Sequence, residues 1–128
     1  RTVTEGEIAQ LCSFVGYHVP LFIDEEYAKK TIYGGRIAPS SLIMSISTGM
    51  TESLFRNNMV GLIAVERGRF YVPLRAGDTI RTDVIIKDKN DSKHDDRGIV
   101  TFHDEVFNQR DEKIFEIDKI ALIKRNLS

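Results

Sequence analysis

One stretch of the sequence, residues 39 to about 56, constrains the fold more than any other. Its apolar residues recur at spacings of three and four, which places them on one face of an α-helix. The residues between them are small. We therefore predict a long helix that begins at Pro39 and that other structure wraps around, because small side chains allow close approach. The apolar positions are Leu42, Ile43, Ile46, Met50 and Leu54, and the small ones are Ser45, Ser47, Thr48 and Gly49.

Two shorter helices are predicted before this one. Thr4 and Glu7 have the spacing of a capping box, and the helix that follows should end at Gly16. A second short helix should cover residues 24 to 30, with acids at its N-terminal end and lysines at its C-terminal end, as the helix dipole favours. Asp24 is its predicted N-cap.

The second half of the chain has the pattern of β-strands. Four segments, residues 60–72, 79–86, 98–108 and 113–124, are rich in β-branched and aromatic residues or alternate between polar and apolar. A turn at residues 75–78, a charged loop at residues 89–97 and a hairpin turn at residues 109–112 separate them. Helices followed by a run of antiparallel strands indicate an α+β fold.

The composition excludes several classes of function. At 128 residues the chain has the size of one domain, which we assign to residues 1–128. The 18 lysines and arginines are balanced by 19 acidic residues, so there is no basic excess for nucleic acid. The apolar runs are too short to span a bilayer, so we expect no membrane partner. A single cysteine, Cys12, without zinc-type Cys/His spacing predicts a cytoplasmic protein without a metal.

Four phrases of the sequence, in order, resemble the MaoC-like (R)-specific enoyl-CoA hydratase/dehydratase family. The resemblance implies a hot-dog fold, in which a curved antiparallel sheet wraps a long central helix, and usually a dimer. It also implies an acyl thioester, commonly acyl-CoA, as the ligand, a place in fatty acid metabolism, and no cofactor. The phrases are Thr4-Glu5-Gly6-Glu7-Ile8, the stretch from Gly16 through Pro20 and Asp24 to Thr31, Tyr33-Gly34-Gly35-Arg36-Ile37-Ala38, and the stretch from Phe70 to Ile80 with Pro73, Gly77 and Asp78.

Two positions at which the family has catalytic residues are different here. Active members read Gly-Asp-x-Asn-Pro-x-His-x-Asp, and alignment on Gly16 and Pro20 places Tyr17 at the aspartate and Phe22 at the histidine. The family's reaction across the 2,3 bond needs one group that activates water and another that protonates the α-carbon. A phenylalanine side chain cannot transfer a proton. We therefore predict that the standard Asp/His dyad is absent.

A third catalytic position lies at the start of the predicted long helix. The family usually has Ala-His-Gly there, whereas this chain has alanine, proline and serine at positions 38–40. The N–H of Ser40 would still be free to donate to the thioester oxygen, because N–H groups in the first turn have no partner within the helix. We predict an acyl-thioester pocket formed by Tyr17, Pro20, Phe22, Pro39, Ser40 and Ser41.

Other polar residues are weaker candidates. His18 and Asp24 are possible replacements for the dyad, although a loop position for His18 and a capping role for Asp24 are the simpler interpretations. Glu66 could serve a thioesterase, but we expect it to pair across strands with a lysine or arginine. Arg36 is expected to brace its loop, and His103 to lie on the surface or on a dimer face.

Three functions stay open on the sequence alone. The first is an acyl-thioester-binding protein without the dyad, either a homodimer or the partner subunit of an active paralogue in a heterodimer. The second is an active hydratase, dehydratase or thioesterase with diverged catalytic residues. The third is a hot-dog module that binds another apolar ligand. A single hot-dog leaves a sheet edge open, which predicts an oligomer, most simply a dimer.

Overall fold

The computed structural model describes residues 1–125, which form five helices and four strands. The predicted α+β class is confirmed, and the four strands make one antiparallel sheet. No helix within the described residues is long and apolar enough to cross a membrane. The domain predicted over residues 1–128 extends at residues 126–128 beyond the described part. The elements are α1 (Glu5–Val15), α2 (Pro20–Ile23), α3 (Glu25–Ala28), α4 (Ser40–Gly49), α5 (Glu52–Phe55), β1 (Met59–Phe70), β2 (Arg81–Asp91), β3 (Arg97–Phe107) and β4 (Lys113–Lys124).

The capping box at the start of α1 is confirmed. The N–H of Glu7 donates to Thr4 Oγ1 at 3.2 Å, and the N–H of Thr4 donates to Glu7 Oε1 at 2.9 Å. The hydrogen bond from the backbone of Thr4 is the largest cause that holds the pKa of Glu7 below its ordinary value. The helix ends where predicted, at Gly16, whose φ of 74° is accessible to glycine without strain.

The helix predicted over residues 39 to about 56 is shorter than expected. α4 ends at Gly49, and α5 begins at Glu52. The hydroxyl and the N–H of Thr51 both donate to the carbonyl of Thr48, at 2.7 and 3.0 Å. In a continuous helix that carbonyl would accept from Glu52, so the buried Thr51 interrupts the helical pattern with its own side chain.

The sheet has the strand order β1–β4–β3–β2, so β1 and β2 are its edges. The pairing of β2 with β3 continues to Asp91 opposite Gly98, which makes the charged loop shorter than predicted. The last strand runs over residues 113–124, as predicted. Alternation along β4 gives the sheet an inner face, which packs against α4, and an outer face.

The core lies between α4 and the inner face of the sheet. Leu42 and Ile43 of α4 are almost fully buried against it. Side chains from the N-terminal segment, α1, β3, β4 and the loops before α4 and β2 complete the cluster, so removal of apolar surface from water is what holds these layers together. The buried members include Val3, Ile8, Cys12, Ala38, Leu74, Ile80, Val106, Ile114, Phe115 and Ile117.

One buried lysine joins α4 to the sheet. Lys119 Nζ donates to Thr48 Oγ1 at 3.0 Å and lies 2.9 Å from Asp104 Oδ2. Asp104 Oδ2 is buried and accepts no hydrogen bond, so the pair is held by charge and not by a directional bond. The side chains of Lys119 and Asp104 are 11% and 2% exposed. A lone charge at such a position would be costly, so the two residues depend on each other.

The capping box predicts a measurable loss of stability on substitution. We expect Thr4→Ala to lower the free energy of unfolding by about 1 kcal/mol, because the N–H of Glu7 loses its acceptor. Chemical denaturation followed by circular dichroism measures this. The exposed Ser53, replaced by alanine, is the control and should change stability by less than about 0.5 kcal/mol. Equal effects of the two substitutions would contradict the capping role.

Candidate functional site

The two positions aligned with the family's dyad face each other. Tyr17 follows the left-handed Gly16, and its N–H donates to the carbonyl of Cys12 at 2.8 Å. Phe22 lies in α2, and its ring stacks on that of Tyr17 with a centroid separation of 5.5 Å and an interplanar angle of 29°. Tyr17 is about half exposed, whereas Phe22 also packs against the core. The loop therefore brings these two side chains to one place at the protein surface.

The start of α4 presents free backbone donors. Pro39 is the N-cap and not the first helical residue that we predicted, and it is buried. The N–H of Leu42 donates to the carbonyl of Pro39 at 3.0 Å, as the helix begins to bond to itself. The N–H groups of Ser40 and Ser41 precede this first bond, and both residues are exposed. An oxygen that gains negative charge would be stabilised at this position.

A cleft of about 440 Å³ opens beside Phe22. Of the six residues predicted to form the thioester pocket, only Phe22 is in its wall, so the pocket predicted from Tyr17, Pro20, Phe22, Pro39, Ser40 and Ser41 stays a prediction. The wall combines apolar side chains of α1 and α2 with a glycine-rich loop and two arginines. It consists of Glu5, Ile8, Ala9, Phe22, Ile23, Glu25, Gly34, Gly35, Arg36, Arg75 and Ala76.

Arg36 and Arg75 brace the loop on this cleft. Arg36 Nε donates to Glu25 Oε2 at 2.8 Å, and the same guanidinium pairs with Glu5, which confirms the expected bracing role. The hydrogen bond from Arg36 is also the main cause that lowers the pKa of Glu25. Arg75 donates to the carbonyl of Tyr33. A Cβ at position 35 would lie 3.1 Å from Glu25 Oε1 and 3.3 Å from Arg75 Nη1, so a larger residue there would make these side chains shift.

The weaker candidates lie at exposed positions. His18 is exposed in the loop after α1. Asp24 caps α3, since its Oδ1 accepts from the N–H of Tyr27 at 3.1 Å. Glu66 is exposed on the edge strand β1, directly opposite Asp118, so the residue across from it is an acid and not the expected lysine or arginine. Pro20 is an exposed residue that begins α2.

The sequence analysis missed the short helix α2 and two larger features of the structure. An apolar cavity of about 560 Å³ lies between the α4–α5 region and the inner face of β1 and β4. A polar cluster lies on the outer face, where His103 Nδ1 is 2.6 Å from Asp118 Oδ1. No spacing of residues along the sequence predicts the cavity or the cluster, because each combines residues from different elements. The cavity is lined by Met44, Thr48, Gly49, Thr51, Glu52, Phe55, Arg56, Met59, Leu62, Val65, Phe115, Ile117, Lys119 and Ala121.

Comparison with known proteins finds clear relatives. A family model described as MaoC like domain matches residues 1–106. Protein MaoC of Klebsiella aerogenes is 27% identical over 89 residues, which are 70% of this chain but only 27% of that longer protein. The X-ray structure of a monoamine oxidase regulatory protein from Archaeoglobus fulgidus is 34% identical, with a TM-score of 0.91 over 98% of this chain and 85% of the other.

A more distant structure has the same fold. The HadBC complex of Mycobacterium tuberculosis, a 3R-hydroxyacyl-ACP dehydratase, is 20% identical and has a TM-score of 0.80 over 95% of this chain and 88% of that one. At this identity the likeness concerns the fold alone. Together with the match of the family model, it confirms the predicted hot-dog arrangement of the chain.

Proposed function

We propose that this chain, which belongs to the MaoC-like domain family, binds acyl thioesters and has little hydratase activity by itself. The observation that supports this most directly is the stacked pair of Tyr17 and Phe22. The loop brings these two side chains together, but neither is an ordinary proton carrier at neutral pH. Phenylalanine has no ionisable group, and a tyrosine hydroxyl is a poor substitute for the carboxylate of a general base.

The thioester oxygen would lie at the start of α4. The N–H of Ser40 has no carbonyl acceptor within the helix, so it is free to donate to that oxygen. Such a donor would stabilise enolate charge even without the dyad. Ser40, Met44 and Thr48 follow one another at i, i+4 and i+8, on one face of the helix. That face runs from the donor to the apolar cavity about 12 Å away, at 1.5 Å per residue. The cavity is therefore the proposed place of the acyl chain.

The alternatives are less well supported by the geometry. An active enzyme with diverged residues would use Tyr17 with His18, or Asp24 or Glu66 as a thioesterase carboxylate. His18, Asp24 and Glu66 are all exposed, and Asp24 already caps α3, so none is in the dry setting that strengthens acid–base and electrostatic catalysis. A module for another apolar ligand would use the same cavity but would not need the Ser40 donor.

The assembly that we propose is a dimer through β1. This strand lies at the sheet edge, and its apolar side chains are about half exposed. An exposed apolar edge strand is normally covered, and a second strand added to it would satisfy its free N–H and carbonyl groups. A homodimer is the simplest form, and a heterodimer with an active paralogue is the other. The exposed residues include Met59, Val60, Leu62, Ile63 and Val65.

Restoring the dyad should raise activity. We expect the unmodified chain to hydrate crotonyl-CoA far below the 1–10³ per second that is typical of enzymes, since each missing proton-transfer group is worth about 10²–10⁴-fold. The double substitution Tyr17→Asp with Phe22→His should increase the rate measurably, because the structure places both side chains together. Absorbance of the enoyl thioester follows the reaction.

The matched control makes the same two kinds of substitution, tyrosine to aspartate and phenylalanine to histidine, at two other exposed positions. Tyr27→Asp with Phe14→His alters side chains that are 52% and 89% exposed, and it should not raise the rate. Rapid turnover of crotonyl-CoA by the unmodified chain would contradict the loss of the dyad. It would then direct the search to His18 and Asp24, each by single substitution.

The backbone donor at Ser40 can be removed without breaking α4. Proline is tolerated at the first helical position, and the extended ψ of 148° at Pro39 suits a following proline. We expect Ser40→Pro to lower the residual turnover of the Tyr17→Asp, Phe22→His protein by about 10²–10³-fold. Ser40→Ala keeps the N–H and serves as the control. If both substitutions have the same effect, the N–H does not contact the thioester.

Light scattering tests the dimer. We expect the chain to be a dimer at micromolar concentration, and Ile63→Lys to convert it to a monomer by placing a charge in the β1 interface. Ile32→Lys is the matched control, since Ile32 is 94% exposed in a turn and should not affect assembly. A monomeric unmodified chain would contradict the homodimer and would favour the heterodimer.

A further inference from the structure

The outer face of the sheet holds a histidine and two glutamates in a compact group. His103 and Glu105 alternate along β3 and therefore project from the same face. Glu116 of β4 lies directly opposite Glu105. His103 Nε2 is 3.4 Å from Glu116 Oε2 and 3.9 Å from Glu105 Oε1, and one ligand atom of each residue lies within 4.8 Å of the others. None of the three is fully exposed.

A buried carboxylate orients the histidine. His103 Nδ1 is 2.6 Å from Asp118 Oδ1, and the Asp118 side chain is only 4% exposed. Asp118 is held in place from its other side, since Lys87 Nζ donates to Asp118 Oδ2 at 2.8 Å. In the tautomer whose Nδ1–H donates to Asp118 Oδ1, the lone pair of Nε2 lies on the side of the two glutamates. Histidine ligands of metals are commonly held in this way.

The two glutamates need a cation between them. Like charges directly opposite each other destabilise an antiparallel pair. Lys113 now supplies the cation, since its Nζ lies 2.8 Å from Glu105 Oε2 and 3.0 Å from Glu116 Oε2. Lys113 is about one-third exposed and has a flexible stem, so it can turn out into water. Its removal would leave two uncompensated negative charges beside a free imidazole nitrogen.

Neighbouring cations do not fill that position. Lys87 Nζ lies 2.8 Å from Asp118 Oδ2, and Arg67 lies 3.7 Å from the same oxygen. Both therefore compensate Asp118 rather than the glutamates. The hydroxyl of Tyr71 donates to Glu116 Oε1 and holds that side chain in place.

We propose that His103 Nε2, Glu105 and Glu116 form a divalent-cation site that exchanges with the ammonium group of Lys113. One imidazole and two carboxylates suit Zn²⁺, which binds nitrogen and oxygen ligands at about 2.0–2.2 Å. Tetrahedral ligands at that distance lie about 3.4 Å apart. The distance of 3.4 Å from His103 Nε2 to Glu116 Oε2 matches this value, and Glu105 Oε1, at 3.9 Å from Nε2, would move inward by about 0.5 Å on binding. Three protein ligands leave the fourth position to water. The site lies on the opposite face of the sheet from the proposed thioester site and does not depend on it.

Titration of the chelator-treated protein with Zn²⁺ and Co²⁺ tests the site. We expect one metal ion per chain, and a visible absorption band from Co²⁺ in a low-symmetry site. His103→Ala and Glu105→Gln should each weaken binding by at least about tenfold. His94→Ala is the matched control, because His94 is exposed in the loop after β2 and should leave binding unchanged.

Lys113 provides the discriminating variant. We expect Lys113→Met to bind Zn²⁺ about tenfold more tightly than the unmodified chain, since the competing ammonium is gone. Its melting temperature without metal should fall and should be restored by Zn²⁺, whereas Lys93→Met at an exposed loop position should behave like the unmodified chain. Equal Zn²⁺ affinity in the His103→Ala and unmodified proteins, or no gain in Lys113→Met, would overturn the proposal.

Discussion

The packing of α4 against the inner face of β3 and β4 is the interaction on which the rest of the structure depends. Leu42 and Ile43 enter the core there, and Lys119 connects Thr48 of the helix to Asp104 of the sheet. A buried ion pair of this kind contributes little net stability, because desolvation offsets the attraction. The apolar contacts supply the stabilisation, and the paired charges penalise any arrangement that would separate them.

This packing divides the sheet into two chemical environments. The inner face is mostly apolar around the Lys119 pair, and with the α4–α5 region it lines the cavity proposed for an acyl chain. The outer face is free of the helix and can hold charged residues such as His103 and Glu105 near water. Alternation along β3 and β4 produces both faces from the same strands, so the two proposed sites lie on opposite faces of one sheet.

The sequence predicted a helix or strand boundary well where residues close together in the chain determine it. The capping box of Thr4 and Glu7, the stop at Gly16 and the last strand were all predicted from neighbouring residues. The predicted C-terminal end of the long helix was wrong, because the hydroxyl of Thr51 donates to a backbone carbonyl that a continuous helix would have used. The spacing of apolar residues contains no information on whether a side-chain hydroxyl will compete with a backbone N–H for a carbonyl.

The sequence by itself determined the α+β class, the likeness to the MaoC-like family and the residue types at the dyad positions, because these follow from order and spacing along the chain. Only the tertiary structure decided that Tyr17 and Phe22 stack, that Lys119 is buried beneath α4, and that His103 and Glu105 lie beside Glu116. These contacts depend on strand register and on the closure of the helix onto the sheet. Both are set by the packing of residues far apart in the chain, which no local pattern encodes.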